Sequence, residues 1–228
     1  MSSKNKLSTL NASNQSKENT MDFIDALNWR YAVRQFSSKK VNTQQLNGLI
    51  ESVRLSASAY GLQPYQLLVI KNQAIKCDLL SYGYGQTKII DNSHLLVLAH
   101  KTHISQEDIS SFISSLANEQ NKTALELSDY EQVISNDLLA KTDEEKNSWA
   151  AQQCYIALGK LLSYAAINAI DACPMTGFDS QGFNQVLGLN HLGLNAEIIC
   201  PIGFRSSDDK SALNPKYRKP TSDLVTIL

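Results

Sequence analysis

Apolar side chains recur every three or four residues in two early stretches of the chain, the spacing of one helix face. The first stretch starts at Met21. The second follows Thr43, a residue type that caps helices, and is predicted to end near Ser56. Its apolar residues are Leu46, Leu49, Ile50 and Val53. The spacing therefore predicts two amphipathic helices in the first quarter of the chain.

Three short apolar runs lack helical spacing and predict buried strands at residues 65–70, 94–99 and 196–203. Between them, Asn72 is placed to cap a helix that runs through Leu80, and Asp179 to cap a later one. Strands and helices alternate, which predicts a mixed α/β fold. Two prolines favour an extended backbone at residues 214–220, and residues 224–228 are predicted as a last edge strand.

Residues 147–170 carry apolar side chains on more than one helix face, which predicts a long helix buried on several sides. In one modest domain this is most simply satisfied by packing against a second copy about a two-fold axis, so we expect a homodimer. Residues 105–146 are polar, helix-favouring and weakly patterned. They are predicted as a mobile helical excursion that is a candidate lid.

Size and charge restrict the classes of function. The chain has 228 residues, a formal net charge of -1 and 19% charged residues, so no basic surface for nucleic acid is expected. Residues 1–20 are polar and predicted to be a disordered tail, with one domain over 21–228. No apolar run is long enough to cross a membrane, and four cysteines without a Cys-x-x-Cys pair favour a reducing cytoplasm.

Two loops are candidates for ligand contact. Small residues at Ser56 and Ser58, followed by Gly61, would let a planar cofactor approach the backbone, although an ordinary helix-to-strand connection has the same composition. The loop at residues 81–88 has two glycines and two tyrosines and would present aromatic rings to a ligand, or form a plain turn. Nucleotide-binding glycine motifs are absent, and the histidine spacing disfavours a metal site.

Basic residues near both ends of the chain are a third candidate for ligand contact. Arg30 and Arg34 are four residues apart, so both guanidinium groups can reach the same side of a helix end. We call the loop that carries Ser56 and Ser58 the serine loop. Together with Lys216, Arg218 and this loop, the two arginines would supply charge-assisted hydrogen-bond donors to a phosphate. Taken separately, each residue is better explained as solvated surface.

At this point the sequence resembles the FMN-dependent, oxygen-insensitive NAD(P)H nitroreductase family, in order from Met21 to the end of the chain. Six matching segments carry the resemblance: Arg30-Tyr-Ala-Val-Arg34 with Phe36, Ser56-Ala-Ser58 leading to Gln63-Pro64-Tyr65, Lys88-Ile-Ile-Asp-Asn-Ser-His94, Trp149-Ala-Ala-Gln-Gln153, Pro174-Met-Thr-Gly-Phe178 and Lys216-Tyr-Arg218. Each segment is weak alone, but six in order are specific. The resemblance implies an α+β fold with a central mixed, mainly antiparallel sheet, flanking helices and a long buried dimer helix.

The resemblance also implies the cofactors and their contacts. FMN would be reduced by NADH or NADPH, with its phosphate at Arg30, Lys216 and Arg218 and its pyrimidine side near Arg34. Lys88 matches the lysine near flavin N1 and O2, where a cation favours the negative charge of the reduced ring. The full implied set is Arg30, Tyr31, Ala32, Arg34, Ser56, Ser58, Gly85, Gln86, Lys88, Gln153, Pro174, Met175, Thr176, Gly177, Lys216 and Arg218.

Within that set, Ser58 matches a ribityl or phosphate contact, and Pro174 to Gly177 match the segment whose backbone N–H approaches flavin N5. Gln153 would line the site from the long helix, across the dimer interface. No side chain is assigned as a catalytic acid or base. Tyr60 and Tyr84 fall where the family places substrate-side aromatics, or are simply half-exposed loop tyrosines.

The sequence departs from the family pattern at three positions. Ala32 stands where a serine is common, Gly85 replaces an asparagine that bonds the flavin ring, and Thr176 replaces a common glutamate. Gln86 is a candidate to take over the lost ring contact, and donation by the backbone of residue 176 needs no carboxylate.

The function implied is a ping-pong transfer of two electrons from NAD(P)H through FMN to a nitroaromatic, a quinone or another flat acceptor. One alternative is a homodimer that binds FMN or another planar anion without turnover. A purely structural dimer is the other.

Overall fold

The computed structural model describes residues 21–228, so the predicted disordered tail lies outside the described residues. Helices are the most frequent secondary structure in this part of the chain, and they are connected by short 3-10 turns and loops. Their bounds are α1 Phe23–Trp29, α2 Thr43–Arg54, α3 Gln73–Leu80, α4 Gln106–Glu119, α5 Ser128–Leu138, α6 Asp143–Ile167, α7 Ser180–Leu187 and α8 Thr221–Leu224. The predicted helix at 73–80 is confirmed, with Asn72 as its cap.

The sheet has four strands in the order β1-β2-β4-β3. Their bounds are β1 Tyr65–Ile70, β2 His94–Lys101, β3 Asp171–Ala172 and β4 Leu194–Gly203. All paired strands run antiparallel, while an isolated parallel bridge joins Ala32 to Ala172 at the β3 edge. The expectation of a mixed, mainly antiparallel sheet is confirmed.

Helices cover both faces of this sheet, and β2 shows why. Leu96 and Leu98 point into a core cluster shared with α2 and α6, whereas Leu95 and Val97 point into a second cluster shared with α3 and α7. Successive side chains of a strand face opposite sides, so a strand apolar at every position must be covered twice. The uninterrupted apolar run that predicted this strand is the signature of that double burial.

The long helix α6 crosses one face of the sheet. It starts at Asp143, four residues before the predicted start, because Thr142 and Glu145 form a reciprocal capping box at its N-terminus. One side packs against the core, but Tyr155 and Ile156 remain 45% and 44% exposed in the middle of the helix. A homodimer that covers these two residues stays a prediction.

Helices α4 and α5 form the excursion predicted over residues 105–146. They have a core of their own, in which Ile109, Ile113 and Ile134 are fully buried. The side chain of Tyr130 on α5 donates a hydrogen bond to the carbonyl oxygen of Tyr60, at 2.9 Å. The excursion therefore contacts the serine loop, and its role as a lid stays a prediction.

Two predicted details are wrong. The cap of α2 is Asn42, not Thr43: its Oδ1 accepts from the Gln45 amide at 2.8 Å while Gln45 Oε1 accepts from the Asn42 amide at 3.1 Å. Asparagine caps as well as threonine, and only the reciprocal Gln45 bond decides between them. The predicted edge strand at 224–228 is not formed: Leu224 ends the short helix α8, and residues 225–228 are irregular chain.

Among residues 21–228, no helix is long and apolar enough to cross a membrane.

Replacement of Gly48 by alanine should destabilise the fold, although alanine is the better helix former. A Cβ atom at this position of α2 would lie 1.9 Å from Tyr164 Oη on α6. Overpacking of this kind costs about 1–3 kcal/mol, more than the gain of up to about 1 kcal/mol in helix propensity. Urea unfolding should therefore show a lower free energy of unfolding for Gly48→Ala.

The double variant Gly48→Ala/Tyr164→Leu supplies the control, because it removes the ring that the new methyl group meets. It should regain part of the lost stability. If Gly48→Ala alone proves as stable as the wild type, the close contact between α2 and α6 is contradicted.

Candidate functional site

Three basic residues from opposite ends of the chain come together beside α1. Burial and then the charge of Arg218 lower the pKa of Arg30, and burial followed by the charges of Arg30 and Arg218 lowers the pKa of Lys216. Lys216 Nζ also donates to the carbonyl oxygens of Leu27 and Asn28, each at 2.8 Å, in the last turn of α1. We call Arg30, Lys216 and Arg218 the basic cluster.

The segment after α1 is extended, which corrects the expectation that Arg30 and Arg34 share a helix end. The helix ends at Trp29, and Arg30 has φ -70° and ψ 142°. Among residues 21–228, neither arginine side chain forms a hydrogen bond or an ion pair, so both keep free donors. Two uncommitted guanidinium groups on one extended segment are suited to an anionic ligand.

Asp209 holds this extended segment in place. Its carboxylate, 4% exposed, accepts hydrogen bonds from the Arg34 amide at 2.8 Å, the Gln35 amide at 3.2 Å and the Tyr31 hydroxyl at 3.1 Å. Burial alone would raise the pKa of Asp209, but these bonds and one from the Ser211 amide lower it below its usual value. Tyr31 therefore has a structural contact through its hydroxyl.

A buried ion pair supports the other side of the cluster. Asp171 is 3% exposed and accepts from Arg205 Nε at 2.9 Å and Nη2 at 2.6 Å. The Arg205 guanidinium also lies over the rings of Trp29 and Tyr31, 4.0 and 4.5 Å from their centres. These contacts fix the residues on either side of Arg30.

Lys88 lies in a 3-10 turn, Thr87–Ile89, and is 8% exposed. Asn92 Nδ2 donates to the carbonyl oxygens of Lys88 and Ile89, each at 2.7 Å, which fixes the turn. In the described part of the chain, the Lys88 ammonium group has no hydrogen-bond acceptor or carboxylate partner. A nearly buried, uncompensated cation is costly, and a ligand with negative charge would stabilise it.

The loop at residues 81–88 and the segment Pro174 to Gly177 meet at Gln86. The Gln86 amide Nε2 donates to the carbonyl oxygens of Gly83 at 3.0 Å and Gly177 at 3.1 Å, so its donors already hold protein groups. Gly85, next to it, has φ 67°, a conformation that suits glycine. The expectation that Gln86 donates to a flavin ring therefore meets a competing structural role.

The segment Pro174 to Gly177 leaves the sheet after a backbone bridge between Met175 and Ile199. Thr176 and Gly177 are exposed. Within residues 21–228, neither of their backbone amides donates a hydrogen bond. Two free, exposed amides are what the expected contact with flavin N5 requires.

The serine loop is stabilised from α6. Gln153, 4% exposed, accepts from the Ala59 amide at 2.8 Å through Oε1 and donates to the Trp149 carbonyl at 3.0 Å through Nε2. Ser58 Oγ accepts from the Gln63 amide at 3.0 Å, and Ser56 is buried with its hydroxyl on the Ala57 carbonyl at 3.1 Å. Gln153 thus shapes the loop within its own chain.

Tyr60 has a fixed position, in contrast to Tyr84. The Tyr60 hydroxyl donates to Asp137 on α5 at 2.9 Å, and its ring lies 6.3 Å from that of Trp149. Its φ of 58° is unusual for a non-glycine residue. Tyr84 also has a positive φ, 55°, but is 67% exposed.

Within one chain, the serine loop does not join the basic cluster, so the expectation that both hold one phosphate requires the loop of a second copy and stays a prediction. The loop leads into Tyr65, which pairs with His100, whereas Lys88 leads into His94 at the other end of β2. Eight strand residues span about 24 Å at 3.4 Å per step. The basic cluster lies at the β3 edge and the loop at the β1 edge, so the two groups are separated diagonally across the sheet.

Sequence reasoning missed Asp209, Asp171 and Arg205, which position the cluster without belonging to it. Each acts through a partner that is distant in sequence, and no spacing rule marks such a pair. The only available signal was the presence of Arg205 and Asp209 two and six residues after the buried strand, and of Asp171 directly before Ala172.

A model of the nitroreductase family matches residues 27–204. A Staphylococcus saprophyticus protein, provisionally named an NAD(P)H nitroreductase, is 29% identical over 211 residues, which cover 89% of this chain and 94% of the relative.

Two solved structures share the fold. The nitroreductase ydfN of Bacillus subtilis, provisionally so named, has a TM-score of 0.81 at 22% identity and covers 90% of this chain and 98% of that one. A provisional nitroreductase from Exiguobacterium sibiricum, solved in complex with FMN, has a TM-score of 0.79 at 16% identity, with 92% and 99% covered.

Asp209→Asn should lower the free energy of unfolding at pH 7 by about 1–3 kcal/mol, because the charged acceptor of three amides and a hydroxyl is lost. The folded pKa of Asp209 lies below its ordinary value of 3.8, so this stabilisation is present at neutral pH and is lost as the pH falls through the folded pKa. Urea unfolding at a series of pH values should show the two proteins converging in acid.

Asp208→Asn is the matched control, since Asp208 is exposed and its carboxylate bonds no described residue. It should change stability little at any pH. A constant gap between wild type and Asp209→Asn down to acid pH would contradict the role given to the Asp209 charge.

Proposed function

This chain belongs to the nitroreductase family, and we propose that it passes two electrons from NAD(P)H through FMN to a flat electrophilic acceptor in a ping-pong cycle. The names of its relatives describe NAD(P)H-dependent oxidoreductases, and one neighbouring structure holds FMN. Nitroaromatics and quinones are the acceptors that the proposal names. The residues of this chain have to supply a phosphate site, a cation beside the ring and donors at its reactive edge.

The convergence of Arg30, Lys216 and Arg218 carries the proposal. Burial, followed by the charges of the neighbouring cations, lowers the pKa values of Arg30 and Lys216, and none of the three residues is paired with a carboxylate among residues 21–228. Mutual repulsion of this kind is relieved by a doubly charged phosphate. We therefore assign the flavin phosphate to the basic cluster.

FMN held by Arg30, Lys216 and Arg218 would supply hydride transfer at N5 between the nicotinamide and the second substrate. The free charge of Lys88 would stabilise negative charge on the pyrimidine side of the ring, together with Arg34. The free amides of Thr176 and Gly177 would face N5. Solvent can protonate the product, so no acid or base residue is assigned.

Departures from the family pattern fit this arrangement. Ala32 lies in a backbone bridge with Ala172, so it holds the backbone of its segment in place through that bridge. Gly85 removes a side-chain donor, and the Gln86 donors bind protein carbonyls instead. We infer that the ring is held mainly by Arg34, Lys88 and backbone amides.

A two-fold dimer would complete the site. Within one chain, the serine loop lies across the sheet from the basic cluster, and a second copy would bring its own loop to the first copy's cluster. Tyr155 and Ile156 are exposed on α6 close to that loop and are suited to be the contact surface. In this arrangement Ser58 and Tyr60 contact the cofactor and acceptor of the partner subunit.

All four cysteines are free. This supports the proposal that the protein works in a reducing compartment such as the cytoplasm.

Colour and bleaching test the proposed activity directly. Purified protein should be yellow, and NADH or NADPH should bleach it without oxygen, with colour restored by a quinone. Yellow protein that neither nicotinamide bleaches would instead identify the non-catalytic flavin-binding dimer. Colourless protein that takes up no added FMN would refute both.

Lys88→Met should weaken FMN binding or slow flavin reduction by about tenfold or more, because the cation beside the ring is lost. Stopped-flow absorbance measures the reduction rate, and fluorescence of released FMN measures the affinity. Lys122→Met removes the same charge from an exposed position and should behave as the wild type. Unchanged rates and affinity in Lys88→Met would remove the role assigned here.

Mixed dimers should reveal whether two chains share each site. Arg30→Gln and Ser58→Trp should each reduce activity strongly in a homodimer. In a heterodimer of the two, one site collects both defects while the other is intact, so about half of the wild-type activity should return.

The matched control is a heterodimer of Arg30→Gln with Lys88→Met, in which both defects belong to the same group of residues. Both of its sites are damaged, so activity should stay low. If Arg30→Gln with Ser58→Trp recovers no more activity than this control, the shared site is refuted.

A further inference from the structure

A second concentration of positive charge lies away from the basic cluster, in a cavity of about 320 Å³ between the first turns of α2 and α3. Lys40, Lys71, Lys76 and His94 line it, with Val41 and Leu46 as an apolar wall. We call it the lysine cavity. None of its lining residues is acidic.

Lys76 is the unusual member, since it is 1% exposed. Its ammonium group donates to Asn92 Oδ1 at 2.7 Å and to the carbonyl oxygens of Asn92 and Ser93 at 3.3 and 3.1 Å. These acceptors satisfy the hydrogen bonds but carry no formal charge. Buried charges in proteins are normally paired, so an unpaired Lys76 needs an explanation.

The neighbouring cations are not paired either. Lys40 Nζ donates to the Asn92 carbonyl at 3.1 Å, and in the described part of the chain no carboxylate lies within ion-pair distance of Lys40, Lys71 or Lys76. Three positive charges thus share one cavity without a counter-charge. Anions are the ligands that such a cavity favours.

The N-termini of two helices add to the positive charge in the cavity. Thr43 and Gln73 are the first residues of α2 and α3, and both line the cavity. Among residues 21–228, neither backbone amide donates a hydrogen bond. The N-terminus of a helix carries partial positive charge and free N–H groups, and here two of them meet three lysines.

The titration of the cavity residues reports the same uncompensated charge. Burial and then the charge of Lys40 lower the pKa of Lys76 to about 8. Burial, followed by the charges of Lys76, Lys71 and Lys40, lowers the pKa of His94, whose Nδ1 lies 2.9 Å from Ser93 Oγ. A bound anion would oppose both shifts.

We propose that the lysine cavity binds a phosphate group, either free or carried as a monoester by a small molecule. Three cations and two helix starts suit a doubly charged oxyanion better than a single carboxylate. The volume of about 320 Å³ equals that of about ten water molecules, so a phosphate leaves room for an organic body against Val41 and Leu46. None of the residues assigned to FMN lines this cavity.

The test compares two double variants that remove the same charge. Lys40→Gln/Lys71→Gln takes two exposed lysines from the cavity and leaves the buried Lys76 in place, so the fold should be kept. Lys39→Gln/Lys122→Gln is the matched control, because Lys39 lies over the Phe204 ring and Lys122 is exposed elsewhere. Inorganic phosphate is titrated by calorimetry into FMN-loaded protein at constant ionic strength.

Phosphate should bind the wild type and the control with equal affinity, and the cavity variant about tenfold or more weakly. Equal affinity in all three proteins, an equal loss in both variants, or no binding to the wild type would overturn the proposal. If the protein takes up no FMN, the proposed function fails, but the same titration of the unloaded protein still decides the lysine cavity.

Phenyl phosphate separates the two sources of the phosphate group. Binding about tenfold tighter than inorganic phosphate, and lost in the cavity variant, would identify a monoester site that uses the apolar wall. Equal binding of both compounds, again lost in the cavity variant, would identify a site for free phosphate. Tight binding of phenyl phosphate that the cavity variant retains would overturn the assignment to this cavity.

Discussion

The ion pair between Asp171 and Arg205 is the constraint on which the basic cluster depends. Asp171 belongs to the short edge strand β3, and Arg205 follows the end of β4, so the pair closes the corner of the sheet. The rings of Trp29 and Tyr31 stack on the same guanidinium group and thereby place Arg30 between them. Removing one partner of such a buried pair typically costs about 3–5 kcal/mol, so the corner is rigid.

Local signals allowed the helices and strands to be predicted where a single residue and its near neighbours decide the outcome. Asn72 caps its helix through bonds to amides two and three residues away, and that distance is visible in a sequence. The choice between Asn42 and Thr43, in contrast, depends on one reciprocal side-chain bond. The last residues were mispredicted because an apolar run forms a strand only where the fold brings it beside a sheet edge.

The residues of the candidate site also divide into those that local patterns could select and those that depend on the whole fold. Arg30 and Lys88 could be selected by their resemblance to family motifs, but Asp209 bonds residues about 175 positions away, and no motif covers it. Strand order decides that the serine loop and the basic cluster lie at opposite corners of one sheet. Because strand order is a property of the whole fold, the sequence alone did not show that the loop and the cluster of one chain lie apart.

The anchoring of Lys216 on the last turn of α1 has a consequence for biosynthesis. A ribosome must translate nearly 190 residues between Arg30 and Lys216 before the basic cluster can assemble. Cofactor uptake at the proposed site would then follow translation, and a chain cut ahead of residue 216 would lack two of the three members of the cluster. Retained colour would in that case report an intact carboxyl-terminal arm.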